Sequence, residues 1–157
     1  MKIKVDVNPE IKETEITISC SELNEDIINL QKQLTKQSGN EIQLELHNEN
    51  TSYFVRVSDI LYFETCDGQI IAQGAIDAYD SDYRLYELEE LLPYYFIRVS
   101  KSTIVNTKKI AAITRNVTAS SLIRFKDSTK IAYVSRSYYH QLRDRLESEV
   151  IKEVKHE

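Results

Sequence analysis

Tryptophan is absent from this 157-residue chain, glycine occurs three times and proline twice. So few backbone breakers argue against long flexible linkers and against a fibrous or low-complexity chain. Cysteine is also scarce. Cys20 and Cys66 lie far apart, and neither has a Cys or His neighbour at metal-ligand spacing. Two free thiols in a reducing compartment are the expectation, without a disulfide or a metal site. No apolar run approaches the length needed to cross a bilayer. The opening "MKIKVDVNPEIKE" alternates charge with aliphatics, unlike a secretory leader. A soluble, cytoplasmic protein is expected.

Catalytic signatures are missing as well. The chain contains no Gly-rich phosphate loop, no H-E-x-x-H helix and no C-x-x-C pair. His47, His140 and His156 share no local motif, and Cys66 beside Asp67 has no His partner in its sequence context. Glu87, Glu89 and Glu90 read as the wet face of a short helix. The sequence therefore points away from an enzyme, a bound cofactor and a small-molecule substrate.

What is present is a division of charge. The net charge is −5, but it is unevenly spread. Residues 1–97 hold seven Lys+Arg against nineteen Asp+Glu, a balance of −12; residues 98–145 hold eleven against two, or +9; the remainder carries −2. A basic segment beside an acidic one suits a polyanion-binding module with a separate acidic surface.

Periodicity predicts a mainly β chain with short flanking helices (α+β). "KIKVDV" and "TEITIS" alternate, which predicts an N-terminal hairpin. "SCSELNEDIINLQKQLTKQSGN" follows with Leu23, Ile27, Leu30 and Leu34 at helical spacing. Ser19 with Glu22 fits a capping box, Ser21 is a rival cap, and Gly39 reads as the stop. From Glu41 the period changes to two. "EIQLELH", "YFVRVSDILYFET" and "IIAQGAIDAY" read as strands, with Asp67-Gly68 as a hairpin turn. "SDYRLYELEELLP" reads as a short helix capped by Ser81 or Asp82, with Leu85, Leu88, Leu91 and Leu92 inward and Pro93 ending it. Five more short strands and a C-terminal helix striped by Tyr139, Leu142 and Leu146 complete the reading.

Three sets of residues are candidates for contact with a nucleic acid. Ser100-Lys101-Ser102 is a polar triplet between two strands, where a cation flanked by hydroxyls suits phosphate or base-edge contact. Asn106, polar in the following strand, belongs to the same set. Arg136, with Ser135 and Ser137, falls at a helix N-terminus, where the helix dipole already presents positive charge. An anion would satisfy both, and carboxylates are scarce in this half of the chain. The third set is the turn Asp67-Gly68-Gln69, from which the Gln69 amide could read adenine.

These stretches resemble a known family. "RVSDILYFET", "ELEELLPYYFIRVSKSTIVNTKKIAAI" and "LIRFKDSTKIAYVSRSYYHQLRDRL" look like the LytTR DNA-binding domain of bacterial response regulators. The motifs are D-I-x-Y-x-E at Asp59 to Glu64, L-x-x-L-E-x-x-L-P at Leu85 to Pro93, F-x-R-x-x-x-S-x-I-V-N at Phe96 to Asn106, and V-S-R-x-Y at Val134 to Tyr138. They extend over roughly residues 41–146. The resemblance implies an elongated β fold that inserts loops into successive major grooves of promoter DNA. Those loops fall here on Asp67-Gly68-Gln69, on Lys101 with Ser100 and Ser102, and on Arg136. Many members carry His, Arg or Asn in the second loop; Lys101 is a point charge without a bidentate fork.

The expected division is residues 1–40 as a hairpin-helix extension for dimerisation or regulation, and 41–157 as the DNA-binding domain with its C-terminal helix. Family members usually carry a phosphorylation receiver, for which this chain has no room. The resemblance thus implies a bacterial homodimeric transcription factor controlled in another way, such as inhibition by a small membrane protein. Two rival readings are an RNA-binding β module, stacking bases on Tyr94, Tyr95, Tyr138 or Tyr139, and a protein-interaction regulator using only the acidic half.

Overall fold

The computed structural model describes residues 2–12, 14–37 and 42–156. Seven strands form one antiparallel sheet: β1 (Gln43–Asn48), β2 (Thr51–Arg56), β3 (Ile60–Cys66), β4 (Gln69–Gly74), β5 (Ala78–Ser81), β6 (Phe96–Ser100) and β7 (Thr103–Asn106). Their order is β2-β1-β5-β4-β3-β7-β6. A second antiparallel sheet contains β8 (Ile110–Thr114), β9 (Ser121–Phe125) and β10 (Ile131–Val134), with β9 central. The helices are α1 (Glu25–Gln37), α2 (Leu85–Leu91) and α3 (Arg136–His156).

The near-continuous apolar run "ILYF" becomes β3 because both faces of that strand are covered. Ile60 and Phe63 enter one core with Leu44, Leu46, Leu85, Leu88, Phe96 and Ile104. Leu61 and Tyr62 enter a second core with Ile97, Val99, Val105, Ile123, Val134 and Leu142. Two adjacent residues share the second core because the ladder with β4 shifts register between Ile60 and Tyr62, as an inserted bulge residue does. Helix α2 covers the first face; the small sheet and α3 cover the other. Each fully buried Leu, Ile, Val or Phe is worth about 1.5–3 kcal/mol relative to exposure.

Polar bonds then fix the small sheet on the large one. The Ser135 N–H donates to the Val99 carbonyl of β6 at 2.9 Å. Lys130 Nζ donates to Gln73 Oε1 and to the Asp77 carbonyl, both at 2.8 Å.

Several expectations change. The N-terminal hairpin does not form: no strand occurs among described residues before β1, and Ile3, Val5 and Val7 are 80–88% exposed. An isolated two-stranded hairpin is marginal in water, and "NPEIKE" lacks the glycine that a tight hairpin turn favours. Helix α1 starts later than the capping box implies. The Ile27 N–H donates to Asn24 Oδ1 at 3.0 Å, so Asn24 caps it instead of Ser19 or Ser21. Ser81 and Asp82 do not cap α2 either; Arg84 occupies that position without a side-chain bond, and Ser81 Oγ accepts from the Tyr83 N–H at 3.2 Å. Leu91 faces solvent, while Leu85, Leu88 and Leu92 are buried. Gly39 lies outside the described residues. Asp67-Gly68 does form the two-residue turn between β3 and β4, both residues at positive φ (49° and 78°), which matches the twist of the flanking strands.

Tyr62 yields a pH prediction. Burial, then the nearby Glu64 charge, push its phenol from 10.0 up to about 12. The folded state therefore holds a proton that the unfolded chain gives up earlier. The stability this contributes is present below about pH 10 and falls as pH rises toward about 12. Denaturant melts across this range should show a steep alkaline loss of stability for the native chain and a shallower one for Tyr62→Phe.

Candidate nucleic-acid interface

Register decides which turns meet. In the large sheet β3 is paired on both edges, Cys66 opposite Gln69 of β4 and Glu64 opposite Thr103 of β7. The β3–β4 turn at Asp67-Gly68 and the β6–β7 turn at Lys101-Ser102 must therefore emerge at the same end. The Thr65 N–H reaches across to the Ser102 carbonyl at 2.9 Å and ties the two. On the other side of β6, the Ser135–Val99 hydrogen bond places the start of α3 beside the same turn. Three sequence-distant cation- or turn-bearing segments thus converge at one end of the molecule.

The geometry of each is specific. Lys101 is exposed at the turn apex. Ser100 Oγ accepts from the Ser102 N–H at 3.2 Å and lies 3.3 Å from Ser102 Oγ, closing the turn on itself. Arg98 braces it from behind: Nε donates to the Ser100 carbonyl at 2.7 Å, Nη2 donates to the Lys101 carbonyl, and Nη1 pairs with Glu89 on α2. A long cation held by three acceptors keeps the turn in one shape, so little conformational entropy is lost when a ligand arrives. Arg98 was visible in the sequence only as a polar position in a strand; its bracing role depends on α2 folding over the same face.

Arg136 is the first residue of α3 and is exposed, with no ion pair among the described residues. Ser135 and Ser137 sit beside it with their hydroxyls 3.2 Å apart. Gln69 does not project from the hairpin tip. Its Nε2 reaches sideways to the Ser81 carbonyl at 3.4 Å, and it lines a cleft with Arg84, Arg98 and Tyr83. The tip itself is Asp67-Gly68, both exposed.

Asn106 leaves the candidate set. It is 1% exposed and sits at the opposite end of β7 from Lys101. Its Nδ2 donates to the Ile60 carbonyl at 3.0 Å and its Oδ1 accepts from the Lys108 N–H at 3.0 Å. This is a structural bridge between β3 and the turn after β7. That far end carries cations too, but Lys109 and Lys126 there share a cleft with Asp59, Asp77 and Asp127, so its charge is mixed. The aromatics that an RNA-binding reading needs are not aligned as a platform. Tyr94 and Tyr95 lie beyond the far end of β6 with Lys108 4.4 Å from the Tyr95 ring centre, and Tyr138 and Tyr139 pack against the second core. Among the described residues no cluster of three His, Cys, Asp or Glu could hold a metal ion, and no helix is long and apolar enough to cross a membrane.

The buried position of Asn106 carries a prediction. Asn106→Ala orphans the Ile60 carbonyl and the Lys108 N–H and should cost about 1–3 kcal/mol in denaturant unfolding. Folded Asn106→Ala should keep wild-type nucleic-acid affinity; a loss of affinity beyond the unfolded fraction would return Asn106 to the interface.

Comparison with known proteins identifies the family. Residues 50–147 match the LytTr DNA-binding domain family. Uncharacterized HTH-type transcriptional regulators of Staphylococcus aureus strains NCTC 8325 and COL are each 30% identical over 149 residues, covering 93% of this chain and 98% of theirs. A solved LytTr DNA-binding domain from Bacillus cereus superposes with a TM-score of 0.61 at 27% identity, covering 67% of this chain and 96% of that one. The described residues contain no helix-turn-helix, since strands separate every pair of successive helices. With residues 50–147 matched by its model, well over half of the sequence, this chain belongs to the LytTR family of DNA-binding domains.

Proposed function

We propose that this protein is a cytoplasmic transcriptional regulator that grips duplex DNA with the turns at one end of its β scaffold. Lys101 and Arg136 are assigned to phosphates or guanine edges, and Asp67-Gly68 to the approach of a neighbouring groove. One observation carries the reading: the Ser135–Val99 and Thr65–Ser102 hydrogen bonds gather all three segments at one end. The rigid hairpins suit insertion into a groove, and the Arg98 brace holds Lys101 outward.

If about five phosphates are neutralised, log K should fall with log salt at a slope of about −4.5. Fluorescence anisotropy with a duplex selected from a random pool measures this. Lys101→Ala and Arg136→Ala should each weaken binding several-fold and make the slope shallower by about 0.9, with the fold unchanged by circular dichroism. A salt-independent affinity, or wild-type binding by both variants, would contradict the assignment.

The N-terminal extension is assigned to self-association. Ile3, Val5, Val7 and Leu23 are 70–88% exposed, and α1 belongs to neither core cluster. So much aliphatic surface suits a second copy, and a dimer would read a repeated site. Sedimentation should show a dimer for the full chain and a monomer for a variant lacking residues 1–38 that still binds a single site. A full chain that stays monomeric at every concentration would leave the surface to another partner, such as an inhibitory membrane protein.

A further inference from the structure

The β8–β9 loop, residues 115–120, is not among the three segments assigned above. Register places it nonetheless. Thr114 pairs with Leu122, and Ser121 pairs with Val134, the residue preceding Ser135. The loop therefore leaves the small sheet at the end where α3 begins. Its residues are all exposed, including Val117 at 73%.

The loop is nevertheless held in shape. The Asn116 N–H donates to Ser121 Oγ at 2.9 Å, and both the N–H and Oγ1 of Thr118 donate to Asn116 Oδ1 at 3.1 Å. Arg115 lies with its guanidinium carbon 4.9 Å from the ring centre of Tyr139. Tyr139 is in the first turn of α3, three residues from Arg136, and His140 follows at four, so all three share one helix face. The aromatic ring attracts and orients the cation without neutralising it. No carboxylate occurs in residues 114–121 or 135–143, in a chain whose net charge is −5. Neither Arg115 nor Arg136 has an ion pair among the described residues.

We infer that the 115–120 loop is a fourth DNA-contacting element, in which Tyr139 aims Arg115 at the phosphodiester backbone next to the phosphate held by Arg136. This rests on the duplex-binding reading and extends its footprint along the α3 side. A backbone contact of this kind sets position and affinity and carries no base preference.

The test uses the full chain and a duplex that the wild-type chain selects from a random pool, with affinity followed across salt. Arg115→Ala should weaken binding about five- to tenfold near 0.1 M salt and make the slope shallower by about 0.9. The sequences it selects should match those of wild type. Arg115→Gln, which keeps a stem to lie over Tyr139, should lose as much, and Arg115→Lys should recover most of the affinity. Ethylation interference should show one protected phosphate fewer for Arg115→Ala. Wild-type affinity and slope in both Arg115→Ala and Arg115→Gln would overturn the fourth element, and if Arg136→Ala still weakened binding, the three-segment interface would stand. Absence of duplex binding by the wild-type chain would instead remove both.

Discussion

Strand β3 is the constraint on which the molecule depends. It is hydrogen-bonded along both edges and buried on both faces, with Ile60 and Phe63 on one side and Leu61 and Tyr62 on the other. Because side chains alternate across a sheet, a one-residue slip would exchange those faces and put each core's residues into the other. The two-sided burial makes that slip costly, so the register is fixed. A fixed register places the β3–β4 and β6–β7 turns at one end, and that placement is the geometric basis of the proposed interface.

The second layer completes it. The small sheet and α3 share a core with β3, β6 and β7, and the Ser135–Val99 bond sets where α3 begins. The helix dipole then adds positive character at Arg136, beside the turn that carries Lys101. The Arg98 guanidinium links that turn to Glu89 on α2, so the turn is supported from the opposite face of the sheet as well. The acidic half of the chain supplies much of this scaffold, and the basic half supplies Lys101 and Arg136, the cations assigned to DNA.

Much of this was legible in the sequence. The Asp67-Gly68 hairpin, the alternation of β1, the leucines of α2 that precede Pro93 and the stripe of α3 all follow from local periodicity and turn chemistry. The position of Lys101 and Arg136 was also legible, since turns and helix starts are local events. The failures were cases in which tertiary context outweighed pattern. The alternating N-terminal segments found no third strand to pair with. Asn106 looked like a polar strand residue and was instead pulled inward by the Ile60 carbonyl, forty-six positions away. Gln69 bent toward Ser81 of a strand that no local rule places next to it. The Arg98 brace needs Glu89 of α2 folded over the same face, and the role proposed for Arg115 rests on its contact with Tyr139 of α3.

The most direct measurement is a backbone-amide NMR titration of the full chain with its selected duplex. The account expects the largest shift changes at Asp67-Gly68, Ser100 to Ser102 and Ser135 to Ser137, with Lys108, Lys109 and Lys126 to Lys130 at the far end nearly unmoved. Largest changes at the Lys109 and Lys126 end, with the Lys101 turn silent, would contradict it.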